Sequence, residues 1–175
     1  MNLLIVLMAQ YLLIPILLFG GIFFLLLIEQ SKIRFLNLAV LTFPLAFLLT
    51  KALAYLIYTT RPFVSEHIQP LINHAADNGF PSDHTVLTMT IAAVVFVFNR
   101  KAGFMLALLS LSIGLARILA KIHQPLDILG SIFIAILSTY ASWYALKKFK
   151  NIDILITSLI SKIWIRKTQY DGLGK

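Results

Sequence analysis

Cysteine is absent from this sequence, which excludes disulfides, thiolate metal sites and cysteine nucleophiles. Charge is scarce as well. Only 13% of residues are charged and seven are acidic, where a soluble domain carries about a quarter charged residues. The longest polar connector, Thr59 to Asp83, is too short for a separate soluble domain of about 50 residues or more. Residues 1–175 therefore read as one membrane domain, whose chemistry falls to His, Ser, Lys, Arg, Asp and Glu.

What the chain has in abundance is apolar surface: 59% hydrophobic residues and a mean hydropathy of +0.89. A bilayer core of about 30 Å needs about 20 apolar helical residues. Five runs qualify or come close: 3–28, 35–58, a shorter 85–98, 103–122 and 125–146. The first starts at Leu3 with no Lys or Arg before it and exceeds a signal peptide's apolar region, so it reads as a retained helix. Pro125 suits the first turn of a helix, where its missing amide hydrogen costs nothing. Residues 152–165 carry Ile152, Leu155, Ile156, Leu159, Ile160 and Ile163 at helical spacing. That stripe is too short to span and predicts an amphipathic helix in the interface. The expected fold is an all-α integral membrane protein of five transmembrane helices, six if the tail crosses, with a C-terminal interfacial helix.

The formal charge of +8 does not point to nucleic acid, because the basic residues cluster at the ends of apolar runs rather than on a soluble face with stacking aromatics. With five crossings, Lys32, Arg34, Arg100, Lys101 and the basic tail from Lys147 onward share one side, which the positive-inside rule makes cytoplasmic. The C-terminus then lies inside. The opposite side receives Lys51, Arg61, Arg117, Lys121 and all four histidines. Ionisable residues at membrane depth mark function by default.

Arg61-Pro62, then Phe80-Pro81-Ser82-Asp83-His84, then Arg117 with five residues to His123 and three more to Asp127, resemble the three-part signature of the type 2 phosphatidic acid phosphatase (PAP2) superfamily. The resemblance covers about Lys51 to Asp127. Three positions depart from it: Asp83 replaces a glycine, Ala116 replaces a serine, and Ala54 stands where the first motif has lysine, with Lys51 as the nearest substitute. Lys121, a turn beyond Arg117, is the other candidate for the missing charge. The resemblance implies a lipid phosphatase without cofactor or metal, in which His123 attacks phosphorus, a phosphohistidine forms and water releases it.

The residue types suit those roles. At i and i+4 of a helix, Asp127 can hold the His123 Nδ1 hydrogen and leave Nε2 free. Arg61 and Arg117 offer forked donors to phosphoryl oxygens. Ser82 can supply a hydroxyl and a backbone amide at a helix N-terminus, and His84 is placed to protonate the leaving oxygen. Asp83 would repel phosphate unless it turns away or pairs with Lys121 or an arginine. His67 and His74 fit no metal spacing, and their loop reads as cover for the site.

The Phe-Pro-Ser-Asp-His variant looks like the bacitracin-resistance-type undecaprenyl diphosphate phosphatases of the bacterial cytoplasmic membrane, acting on its outer face on a polyprenyl diphosphate among membrane lipids. A phosphatidylglycerophosphate or phosphatidate phosphatase is the same-class alternative, and an idle lipid-phosphate binder or transporter the different-class one. Oligomeric state has no sequence signal. The topology can be tested with single cysteines in this cysteine-free chain. An impermeant thiol reagent should label a cysteine at Asp77 in intact cells and not one at Lys148, and the reverse pattern overturns the orientation.

Overall fold

The computed structural model describes the backbone of residues 2–172 and the side chains of residues 2–160 and 162. It is all-helical among the described residues: α1 Asn2–Gln10, α2 Leu13–Leu26, α3 Glu29–Leu56, α4 Pro62–Ser65, α5 Asp83–Phe98, α6 Arg100–Leu119, α7 Pro125–Lys148 and α8 Lys150–Gly172. Four stretches are long and apolar enough to cross a membrane: α1 and α2 taken together, α3, α6 and α7. α5 is a shorter apolar helix.

Several boundaries differ from the sequence expectation, each for a local reason. The first run is broken at Tyr11–Leu12. Pro15 has no amide hydrogen for the Tyr11 carbonyl four residues back, and its ring crowds that carbonyl. The Ile14 amide takes the Tyr11 carbonyl instead, at 3.0 Å. The predicted connector Glu29–Arg34 is the first turns of α3, where Lys32 Nζ reaches Glu29 Oε1 at 2.8 Å, an i,i+3 pair that favours helix in water. The connector predicted over 99–102 shrinks to Asn99, whose Oδ1 caps α6 by accepting the Ala102 amide at 3.0 Å.

The tail helix is also longer than the predicted 152–165, starting at Lys150. It rests on α3 and α7. Buried Asn37 of α3 donates to Asp153 Oδ1 (2.7 Å) and Thr157 Oγ1 (2.8 Å), and Ile156 is buried. Among the described residues α8 is not long and apolar enough to be a candidate span.

α5 is the hub. At 16 residues and 1.5 Å per residue it is about 24 Å long, short of the bilayer core. α2, α3, α6 and α7 all pack against it, so its surface meets protein more than lipid. That explains three threonines with negligible exposure, Thr85, Thr88 and Thr90, of which Thr88 bonds Ser110 of α6 at 2.6 Å. The α5–α6 crossing is tight at Gly103, where any Cβ would collide with the Phe96 backbone. Gly103→Ala should therefore destabilise the protein by about 1–3 kcal/mol, the usual scale of overpacking. Gly21→Ala, whose Cβ meets nothing within 4 Å, should be neutral or stabilising. Thermal unfolding in detergent compares them, and equal melting shifts would remove Gly103 as a packing constraint.

Candidate active site

The site forms where α6 turns into α7. α6 ends at Leu119, Lys121 takes a left-handed φ of 63°, and α7 restarts at Pro125 after the extended Gln124. This corner delivers His123 one turn above Asp127. His123 Nδ1 lies 3.1 Å from Asp127 Oδ2, and the two residues are 2% and 0% exposed.

The carboxylate is saturated. Oδ2 also accepts the Gln124 amide at 2.8 Å, and Oδ1 accepts the Thr59 hydroxyl at 2.6 Å. A carboxylate only accepts, so His123 carries its hydrogen on Nδ1 and keeps a lone pair on Nε2. Arg117 Nη2 faces that Nε2 at 3.4 Å.

Arg117 is 4% exposed. Its Nη1 donates to the Ala9 carbonyl at 3.0 Å, a carbonyl in the last turn of α1 with no continuing helix to use it. Its Nε is buried with no partner. A buried guanidinium donor left unmade is costly, and this one belongs to the arginine whose Nη2 faces the imidazole nitrogen.

The second motif is fastened to α7 below Asp127. The Ser82 amide donates to Ser131 Oγ at 2.9 Å, and the Ser131 hydroxyl donates to the Asp127 carbonyl at 2.6 Å. Gly130 leaves room for the Phe80 ring, which a Cβ would strike. The Ser82 amide, expected to donate to phosphate, is instead occupied by Ser131. The Ser82 hydroxyl accepts from Thr85 at 3.1 Å and keeps its own hydrogen. His84, half-buried in the first turn of α5, interacts electrostatically with Arg117, His123 and His74.

Arg61 is 5% exposed, and each of its nitrogens already donates: Nε to Asp77 Oδ1 (2.8 Å), Nη1 to the Ile122 carbonyl (2.8 Å) and Nη2 to the Asn78 carbonyl (3.1 Å). It ties the long loop to the residue before His123. Its positive charge reaches His123, and Asp77 occupies its Nε–H.

The remaining cations go elsewhere. Lys121 follows the helix end instead of continuing α6, and it pairs with Glu66 on the surface at 3.0 Å. Lys51 lies over the Phe47 ring at 5.4 Å. Together with Asp83, Thr50 and Thr90 it lines a separate cleft of about 250 Å³ between α3 and α5. Neither lysine joins the His123–Arg117 cluster. Asp83 lines that cleft, and its charge still acts on Arg117 and His84.

Three contributors lay outside the sequence reading. Thr59 holds Asp127. Asn78 receives the Thr59 and Phe80 amides on Oδ1 and donates Nδ2 to the Ala54 and Ile57 carbonyls at the end of α3. Ser131 locks the second motif. Asp77-Asn78-Gly79 carries turn residues, the one local signal available; the contacts themselves join distant segments.

The sequence pattern of the PAP2 superfamily matches residues 32–151. The chain belongs to the PAP2 superfamily. It is 32% identical over 126 residues (71% of this chain, 62% of the relative) to a protein named bacitracin transport permease protein BcrC from Bacillus licheniformis. It is 42% identical over 80 residues (46% and 42%) to undecaprenyl-diphosphatase BcrC of Bacillus subtilis. To the putative undecaprenyl-diphosphatase YbjG of Escherichia coli it is 32% identical over 116 residues (61% and 59%). The matched part of the chain thus spans about three-fifths or less of these curated PAP2 relatives.

Burial pushes the His123 imidazole below its ordinary value. Arg117 and Arg61 push the same way and Asp127 pushes back. The attacking role expected of His123 requires a neutral imidazole, so with a lowered value protonation and the expected loss of rate begin only below about pH 6.5. Asp127→Asn removes the group that favours the imidazolium. It should move this acidic limb to still lower pH, and it should cut kcat by roughly 10⁴-fold, the loss seen when a serine-protease triad loses its orienting carboxylate. A pH–rate profile checks both, and an acidic limb that moved upward would remove the direct pairing as its cause.

Proposed function

We propose that the chain is a membrane-embedded phosphatase that removes the terminal phosphate of a polyprenyl diphosphate such as undecaprenyl diphosphate, through a phosphohistidine on His123. One observation carries the reading: an imidazole whose Nδ1 is fixed by a buried carboxylate with three donors, and whose Nε2 lone pair faces Nη2 of an arginine that has an unused buried N–H. Nε2 attacks phosphorus and the P–O bond to the lipid phosphate breaks. Burial and then Arg117 hold the His84 imidazole down at about 4; the negative charge of a bound diphosphate favours its protonated form, and from that form His84 supplies the proton to the departing oxygen. Arg117, the Ser82 hydroxyl and the charge of Arg61 hold the phosphoryl oxygens. Water then attacks the phosphohistidine and inorganic phosphate leaves. Lys51, Lys121 and Asp83 lie outside this set.

The site sits at the end opposite the basic helix ends, which the positive-inside rule assigns to the outer face of a bacterial cytoplasmic membrane. The diphosphatase names of two relatives support the substrate class. A third relative's name refers to transport, but a transport site does not require a nucleophile oriented from behind by a carboxylate. Purified protein in mixed micelles, with chelator present, should release inorganic phosphate and should cleave undecaprenyl diphosphate faster than phosphatidate or phosphatidylglycerophosphate. No release leaves a binder or transporter. A tenfold preference for a phospholipid, about 1.4 kcal/mol the wrong way, leaves the phosphatase and removes the polyprenyl assignment.

A further inference from the structure

His74 lies in the connector between α4 and α5, 49 residues before His123, in no part of the three-part signature. Its ring nevertheless sits edge-on to the His123 ring, with centroids 6.3 Å apart and planes at 74°. The two rings are thus immediate neighbours, and His74 can reach, from beside the His123 ring, a water drawn up to a phosphoryl group on His123.

The position is built from both directions along the chain. Two residues earlier, Ile72 is buried among Ala9, Ala116, Ala120 and Ile122. Three residues later, Asp77 is clamped by Arg61, and Asn78 is tied to the end of α3.

Its chemistry is set by its neighbours. Nδ1 faces the Ala75 carbonyl at 3.3 Å and Asp77 Oδ1 at 3.9 Å. Both can only accept, so Nδ1 carries the hydrogen and the lone pair is on Nε2, which has no hydrogen-bond partner among the described residues. The charged and titratable groups around the ring are Arg61, Arg117, Asp77, His84 and His123. Burial and then Arg61 push its titration below the ordinary histidine value, with Arg117 adding to them against Ala75 and Asp77. His74 therefore rests neutral at pH 7, as a proton acceptor must.

The geometry points to His74 as a catalytic residue of the second half-reaction, the general base that activates the water releasing phosphate from His123. This rests on the phosphohistidine reading above. In the step, the water oxygen bonds to phosphorus while the P–N bond breaks and its electron pair returns to His123 Nε2. The water proton passes to His74 Nε2, and inorganic phosphate departs. His84 serves the first half-reaction and His74 the second, so each proton transfer has its own histidine.

The test uses the full-length protein with polyprenyl diphosphate carrying ³²P in its terminal phosphate, quenched in alkaline detergent, where phosphohistidine survives. His74→Gln should become labelled as fast as the parent protein and then stay labelled, with dephosphorylation about 10²–10⁴-fold slower, the usual worth of a general base. Its dephosphorylation should be flat with pH where the parent's rises as His74 loses its proton. Added imidazole should restore release to His74→Gly. Labelling that proves the variant protein folded makes the comparison valid without a separate stability assay. A His74→Gln protein that turns over with the parent's labelled fraction overturns the proposal, as does one slowed in becoming labelled without accumulating label. If the parent releases phosphate while neither it nor the variants ever carry label, the phosphohistidine mechanism itself falls.

Discussion

The arrangement depends on one buried carboxylate with three donors. Asp127 is drawn on by the imidazole of His123, the backbone of Gln124 and the hydroxyl of Thr59. Leaving any of these buried groups unmatched would cost about 1–3 kcal/mol; two of the donors are neighbours in the corner between α6 and α7, and the third comes from the loop leaving α3. The helix that begins α7, the corner leaving α6 and the strand of loop leaving α3 are therefore held to one point. Packing brings the helices together, and this point sets how their ends meet.

A second layer of constraint runs outward from it. Ser131 links the second motif to the same helix one turn on, and Arg61 links the loop to the residue before His123. Arginine used this way works as a strut and a charge at once. It explains why a long polar loop can end in buried contacts without a core of its own. The cost of burying the guanidinium is offset because its three nitrogens each have an acceptor.

Much of this was legible in the sequence. The place of Arg117 on the last turn of α6 and the grouping of the histidines at one end follow from helical period and span length, and the spacing also named the pair His123 and Asp127, although His123 precedes α7 and meets Asp127 through the corner at Gln124 rather than along a helix face. Pro15 also announces the break in the first run to a reader who applies its lost hydrogen bond. What escaped were contacts between segments distant in sequence. Nothing local tells that Thr59 meets Asp127, that Asn78 closes the end of α3, or that His74 lies over His123. The lysines were misplaced for a related reason. Lys121 was counted along a helix that had already ended, and Lys51 points into the cleft between α3 and α5, so neither completes the phosphate set.

The contact from Arg117 to Ala9 has a wider meaning. The superfamily pattern begins at residue 32, yet the arginine at the centre of the site is steadied by a helix that precedes it. The atom involved is a backbone carbonyl, so the contact itself reads no side chain, although Ala9 is buried against Ile72, Ala116, Ala120 and Ile122. Away from that packed position the first helix can vary in sequence and still steady Arg117, and a backbone contact of this kind leaves no signature for sequence comparison to find.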